Sequence, residues 1–213
     1  MVSWKILDDA DSDFGFLHRL DVPSSGLILA AKTYAAYYDL QLQLRSRSLA
    51  RDYVVLNHGK LKRHKVDARL HWTGNFATRS GGQGKPSETR VSVVAFAGMN
   101  GSTYTMALVR VCTGRRHQIR SHCAYIGHPT VSDGRYTSWR TYQGDLGLSE
   151  RNFLHRCRLT FRDANGELHK AKLPLPEDLR KAAHHLIYDR WLGLGGAKAS
   201  VPDTSIQTEP SSK

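Results

Sequence analysis

The stretch TRVSVVAFAGMNGSTYTMALVRVCTG, residues 89–114, predicts two strands joined by a tight turn. Apolar residues dominate both halves, and Asn100-Gly101 separates them. Asn-Gly is the strongest short-range signal of a two-residue hairpin, because both turn positions take positive φ. A second hairpin is predicted around Asn165-Gly166. Hairpins join antiparallel strands, so both stretches indicate antiparallel pairing.

Other elements are predicted around these hairpins. Residues 26–32 are expected to form a short buried strand, and a second strand is expected around Tyr53 to Leu56. Helices are predicted over 33–48 with Thr33 as N-cap, over 117–127, and near 176–186. Together these elements predict an α+β fold, a mixed and largely antiparallel sheet flanked by helices and loops.

The chain carries a large excess of positive charge. Its 213 residues include 31 Lys and Arg against 19 Asp and Glu, which gives a net charge of +12. Such an excess favours an anionic partner, most often nucleic acid. A basic cluster supplies candidate phosphate contacts, although plain solubility explains each of them equally well. Its members are Lys60, Lys62, Arg63 and Lys65.

Composition also bounds the domain organisation. We expect one domain over residues 1–197 and a disordered Ser-, Thr- and Pro-rich tail over 198–213. No stretch approaches the ~20 apolar residues of a membrane span, so we expect no membrane partner. We expect the protein to be a monomer.

The three cysteines, Cys112, Cys123 and Cys157, show no C-x-x-C spacing. An odd count without that spacing argues against a disulfide scaffold, so we expect an intracellular, reducing compartment. Zinc binding by two of these cysteines with His117 and His122 is disfavoured, because the spacing fits no usual structural site. We therefore expect no metal.

The segment HRLDVPSSG, residues 18–26, places one carboxylate beside an arginine and ahead of a turn. Burial alone would neutralise Asp21, whereas a neighbouring arginine would hold it ionised. An ionised, poorly hydrated carboxylate is a potential nucleophile or base. The alternative is that Asp21 only caps the following turn, a common role of Asp. Local chemistry leaves the two interpretations about equal.

The segment TGRRHQIRSH, residues 113–122, places Arg116 and Arg120 four residues apart, so on a helix they would share one face. One interpretation is a solvated basic face. Arg120, however, adjoins the apolar stripe that contains Ile119 and Cys123, so it should lie at the edge of the buried face and need a carboxylate. Asp21 is the natural candidate for that partner.

These segments, followed by NFLHRCRLTF and with RDYVVL between them, resemble the RluA-type (ribosomal large subunit-type) pseudouridine synthases from about Phe16 to Phe161. The resemblance implies isomerisation of uridine to pseudouridine in rRNA or tRNA, with the target base flipped out of the stack and no cofactor. By resemblance, Asp21 is the catalytic aspartate, which attacks the anomeric carbon or takes a sugar proton. Tyr53 is the tyrosine that packs on the base, and Arg120 is the basic partner of the aspartate.

The resemblance also implies RNA contacts. Arg19 corresponds to the arginine that helps the target nucleotide leave the stack. The basic charge of the chain adds Arg115 and Arg116 as candidate phosphate contacts nearer the site. With His18 and His117, these residues complete the predicted RNA-binding set around Asp21. Without the resemblance, Tyr53 would be interpreted as a core residue of its strand.

The start of the chain departs from the family pattern. Seventeen residues precede His18, and the strand and loop that the family carries there are absent. We therefore expect either an N-terminally truncated sequence or a sheet that begins differently. A catalytically silent RNA-binding protein that retains the fold is the alternative function.

Overall fold

The computed structural model describes residues 4–191. In this range, four α-helices and ten strands follow two short 3₁₀ turns, Lys5–Asp8 and Ala10–Gly15. The helices are α1 (Tyr34–Arg45), α2 (Gln118–Tyr125), α3 (Trp139–Asp145) and α4 (Glu177–His184). The strands are β1 (Ser25–Gly26), β2 (Ala50–His58), β3 (His64–Asp67), β4 (Arg69–His71), β5 (Arg79–Gly81), β6 (Glu88–Met99), β7 (Ser102–Val111), β8 (Leu154–Arg162), β9 (Leu168–Lys172) and β10 (Ile187–Trp191).

One mixed sheet organises the chain, in the order β1-β8-β2-β7-β6-β10, with β3 on β6 and β9 on β8. Of these described strands, only β1 runs parallel to its neighbour. Both Asn-Gly hairpins are confirmed, joining β6 to β7 and β8 to β9. Asn100 and Gly101 take φ of 51° and 75°, as the tight turn requires. The predicted α+β fold is confirmed.

The sheet has two faces, which consecutive residues of β2 separate. Tyr53 and Val55 point to the front face, where Ile119 and Cys123 of α2 pack on them. Leu56 points to the back face and packs with Leu179 of α4. Helix α1 packs through Tyr37 and Leu40 against Leu159 of β8, and Thr33 caps it as predicted.

One local prediction is wrong, and one helix was missed. Residues 26–32 do not form a buried strand; β1 ends at Gly26, and Ile28 and Ala30 are exposed. There the backbone bonds instead to the arginine side chain of residue 156 and to residues 15–17. Helix α3 was not predicted. The predicted tail over 198–213 lies outside the described residues, as do both ends of the predicted domain. Among the described residues, no helix has the length and apolar character to cross a membrane.

Candidate active site

The turn after His18-Arg19-Leu20 is closed by the backbone of Asp21. Its carbonyl oxygen accepts hydrogen bonds from the backbone N–H of Ser24, at 2.9 Å, and from the Ser24 hydroxyl, at 2.6 Å. The carboxylate takes no part in the turn and keeps 18% of its side-chain surface exposed. The capping alternative therefore does not account for this carboxylate.

Asp21 and Arg120 lie together, as the sequence predicted. Oδ2 of Asp21 is 3.7 Å from Nη1 of Arg120, which projects from the first turn of α2. Among the described residues, this ion pair is the one close polar contact of the Asp21 carboxylate. The acceptor positions of the carboxylate are therefore open to another molecule.

The principal partner of Arg120 is not Asp21 but Asp133, which sequence reasoning missed. Nε and Nη2 of Arg120 each donate to the Asp133 carboxylate at 2.7 Å, in the two-pronged geometry that guanidinium favours. Burial opposes the charge of Arg120, but these hydrogen bonds, with the charges of Asp133 and Asp21, raise the pKa of its guanidinium. Arg120 is therefore a fixed cation that faces Asp21.

Asp133 is fully occupied by its neighbours. Its carboxylate is 0% exposed and also accepts from Asn152 Nδ2 at 2.8 Å, from the Thr130 hydroxyl and from the backbone N–H of Arg135. A carboxylate with this many donors has no site left for substrate. Asp133 thus orients Arg120, whereas Asp21 is the carboxylate that is free to react.

Tyr53 lies on β2 with only 8% of its surface exposed, inside the front-face core. Its hydroxyl oxygen accepts from Nε of Arg156 at 2.8 Å. Arg156 also donates to the backbone oxygens of Arg19 and Leu27, at 3.2 and 2.9 Å. No local pattern indicated this role, in which one buried guanidinium ties the tyrosine strand to the segment that carries Asp21.

Gly26 permits this close approach. Its φ is +125°, and a Cβ there would collide with the backbone oxygen and nitrogen of Arg156. The glycine at the end of HRLDVPSSG is therefore required by backbone proximity to β8. It keeps the Asp21 turn against the strand that carries Arg156.

His18 is joined to the same guanidinium. Nη1 of Arg156 lies 2.7 Å from Nδ1 of His18, so that nitrogen must be an unprotonated acceptor. Burial, and then the charges of Arg156 and Arg51, lower the pKa of His18 to about 3. The predicted contact of His18 with RNA is therefore limited to the ring atoms that do not bond to Arg156.

The side chain of Arg19, unlike that of His18, is not tied by a hydrogen bond to another described residue. Its side chain is exposed, and its guanidinium makes no hydrogen bond or ion pair with any residue from 4 to 191. It is therefore free to contact another molecule beside Asp21.

The predicted helical pairing of Arg116 with Arg120 is wrong, because of the structure of the residues ahead of α2. The helix begins at Gln118, after His117 with φ of 50°, so Arg116 precedes it and does not share a helical face with Arg120. Arg116 donates to the backbone oxygen of Gly74. The His117 ring bonds to the Tyr136 hydroxyl at 3.1 Å. Burial lowers the pKa of His117, while the charge of Asp21 acts in the opposite direction.

The remaining predicted RNA contacts fall into two places. The Arg115 backbone N–H bonds to Gln118 ahead of α2. The basic cluster, namely Lys60, Lys62 and Arg63 between β2 and β3 and Lys65 on β3, is exposed. Arg63 and Lys65 line a cavity with Asp52, which points to the face opposite Tyr53. The predicted set therefore does not form one surface around Asp21.

Potential metal ligands gather elsewhere. Within the described residues, a group of three such side chains lies at the β8–β9 turn: Asp163, Glu167 and His169. There the His169 ring bonds to Asp163 at 2.9 Å, which supports the hairpin. His122 bonds to Thr89 and to a backbone oxygen instead of converging with the cysteines.

Comparison with known proteins gives a consistent result. Residues 5–125 match the family model described as RNA pseudouridylate synthase. The chain is 36% identical over 185 residues to ribosomal large subunit pseudouridine synthase C of Escherichia coli K12, covering 80% of this chain and 55% of that protein. It thus spans about half the length of the curated relatives that it matches.

Solved structures show the same fold. Human RNA pseudouridylate synthase domain containing 1 superposes with a TM-score of 0.71 and 25% identity, covering 84% of this chain and 75% of that one. Human RNA pseudouridylate synthase domain containing 4 gives a TM-score of 0.64 at 18% identity, over 81% and 76% of the two chains. The second likeness concerns the fold alone.

Proposed function

The chain belongs to the RNA pseudouridylate synthase family, and from that membership and the geometry around Asp21 we propose that it isomerises specific uridines in RNA to pseudouridine. The C1′–N1 bond breaks, the uracil turns, and a C1′–C5 bond forms. The proton lost from C5 is balanced by the proton gained at N1. Because bonds broken and formed nearly balance, the reaction needs no energy source and no cofactor.

The single observation that carries the proposal is the Asp21 carboxylate, partly buried, 3.7 Å from a fixed guanidinium and without a hydrogen-bond donor among the described residues. Arg120 stabilises the negative charge, and Asp133 holds Arg120 in place. In this arrangement Asp21 attacks C1′ or removes a sugar proton. Either role requires an ionised oxygen that is not already committed to the protein.

The remaining residues bind and orient the nucleotide. A uridine inside folded RNA must be flipped out, at a cost of a few kcal/mol. The free, exposed guanidinium of Arg19 is suited to fill the vacated space. Base stacking on an aromatic ring is worth about 1–3 kcal/mol, and Tyr53, with 8% of its surface exposed, is the aromatic residue assigned to the base. The name of the bacterial relative makes large-subunit rRNA the first substrate to test, with tRNA as the second.

The test compares Asp21→Asn with wild type on RNA carrying tritium at C5 of uridine. We expect wild type to release tritium and Asp21→Asn to release none, because the amide cannot act as nucleophile or base. Asp39→Asn is the matched control, since Asp39 is an exposed aspartate on α1. It should retain wild-type turnover.

A catalytically silent RNA-binding protein is the second candidate. If wild type binds RNA but releases no tritium from rRNA or tRNA, the synthase proposal fails and the silent candidate stands. If Asp21→Asn turns over as fast as wild type, Asp21 has no catalytic role. We expect wild type and Asp21→Asn to bind RNA with equal affinity, and this affinity should fall steeply as the salt concentration rises.

A further inference from the structure

A row of charged side chains crosses the back face of the sheet. The strand registers pair one residue from each of six adjacent strands, and directly paired residues project to the same face. The pairs are Lys65 with Arg90, Arg90 with Arg110, Arg110 with Asp52, Asp52 with Arg158, and Arg158 with Lys172. We call these six residues the cross-strand row. At about 4.8 Å between strands, it extends over roughly 24 Å.

The one acid of the row sits at its centre and is buried. The Asp52 side chain is 1% exposed and accepts from Arg110 at 2.7 and 2.9 Å and from Arg158 at 2.7 Å. Burial acts to raise the pKa of Asp52, but these hydrogen bonds lower it below its usual value. Asp52 therefore stays ionised and fixes the two guanidinium groups that flank it.

The cations of the row remain accessible. Arg110 and Arg158 each use Nε and Nη2 on Asp52, so Nη1 of each has no partner among the described residues. Their side chains are 46% and 36% exposed, and those of Arg90 and Lys65 are 63% and 55% exposed. Glu88 contacts Arg90 and Lys65 but is itself only 10% exposed. The surface that solvent meets is consequently cationic.

A concave region accompanies the row. A cavity of about 380 Å³ lies between the β3 segment and strands β6 and β7. Arg63, Lys65, Arg90 and Arg110 line it together with Asp52. Four cations against the one carboxylate of Asp52 in this lining leave the cavity with a net positive charge, and like charges directly opposite each other on a sheet repel.

We propose that the cross-strand row binds the phosphodiester backbone of the RNA, on the sheet face opposite Asp21. The occupant follows from charge complementarity and length, because a row with five cations that extends over roughly 24 Å fits a polyanion and exceeds a single phosphate. This inference rests on the proposed function only for naming RNA as the polyanion. One RNA molecule would thus contact both faces, the front through the target uridine and the back through flanking backbone.

The test uses double-stranded RNA of random sequence, which offers no defined target for the Asp21 site. The variant is Arg90→Gln with Lys172→Gln, because both residues are exposed members of the row and neither contacts Asp52. We expect its Kd to rise several-fold. The slope of log K against log salt should become shallower by about 2, because each of the two removed cations neutralises one phosphate in the wild-type complex.

Lys5→Gln with Arg45→Gln is the matched control, since it removes the same charge from exposed residues of the first 3₁₀ turn and α1. Urea midpoints confirm that both variants are folded. If the two double variants bind RNA with equally reduced affinity, only net charge matters and the row is not a site. Because the assay measures binding alone, its result is independent of whether wild type forms pseudouridine.

Discussion

The two faces of the central sheet each hold a buried aspartate with arginine, but in the described part of the chain they leave groups of opposite charge without partners. On each face a fully buried aspartate is held by arginine, Asp133 by Arg120 on the front and Asp52 by Arg110 and Arg158 on the back. On the front a second carboxylate, Asp21, remains without a donor among the described residues. On the back, Nη1 of Arg110 and Nη1 of Arg158 remain without an acceptor within residues 4–191.

In our proposals, this difference assigns the reaction with uridine to the front face and the binding of the RNA backbone to the back face. A spare carboxylate beside a fixed cation is suited to act on a neutral sugar carbon. Spare cations in a line are suited to hold a polyanion without regard to sequence. The buried aspartate in each cluster orients the arginines, so in the two proposals the identity of the unpartnered group distinguishes the roles of the two faces.

The largest expected effect concerns the two orienting aspartates. Asp133→Asn should cost about 3–5 kcal/mol of unfolding free energy, because it leaves the 6% exposed Arg120 without its principal partner. Asp52→Asn should cost less, about 1–3 kcal/mol, since water can solvate Arg110 and Arg158. Urea unfolding measures both. Equal costs would remove the distinction between an enclosed and an open cluster.

The next effect concerns pH and involves the front face. The pKa of His18 is about 3 in the folded protein, against about 6.5 when unfolded. Between these values the unfolded chain binds one more proton at this residue, so its contribution to stability is full above pH 6.5 and falls as pH decreases. His18→Gln should make the pH dependence of unfolding free energy shallower by up to about 1.4 kcal/mol per pH unit.

Buried His122 and His155, whose pKa values are also lowered by burial, are present in both proteins, so the difference isolates His18. Unfolding curves recorded from pH 7 to pH 4 provide the measurement. Parallel stability profiles for the variant and wild type would mean that His18 is not held neutral by its burial and by the charges of Arg156 and Arg51.

The smallest effect sharpens the comparison on the back face. Asp52→Asn should tighten binding of random double-stranded RNA by a few-fold, because it removes the one acid of the row and releases donors on Arg110 and Arg158. Asp39→Asn makes the same change of charge on α1 and should leave the affinity unchanged. Weaker binding by Asp52→Asn would indicate that orientation of the arginines matters more than net charge.

Local patterns in the sequence predicted much of this fold. The two Asn-Gly turns identified β6–β7 and β8–β9, and Thr33 marked the start of α1. Such features depend on neighbouring residues, which the sequence displays directly. The predicted strand over 26–32 was wrong because bonds to Arg156 and to residues 15–17, all remote in sequence or across a turn, override the apolar pattern there.

For the site, sequence alone brought Asp21 and Arg120 together through the motifs that carry them, and it identified Tyr53 on its strand. Tertiary structure decided the rest: that Asp133 is the principal partner of Arg120, that Arg156 joins Tyr53 to the Asp21 segment, and that Asp52 lies in a row of cations. Each of these contacts depends on the register between segments distant in the chain. A shift of one residue in a strand turns its side chains to the other face, and no local pattern specifies which residues then meet.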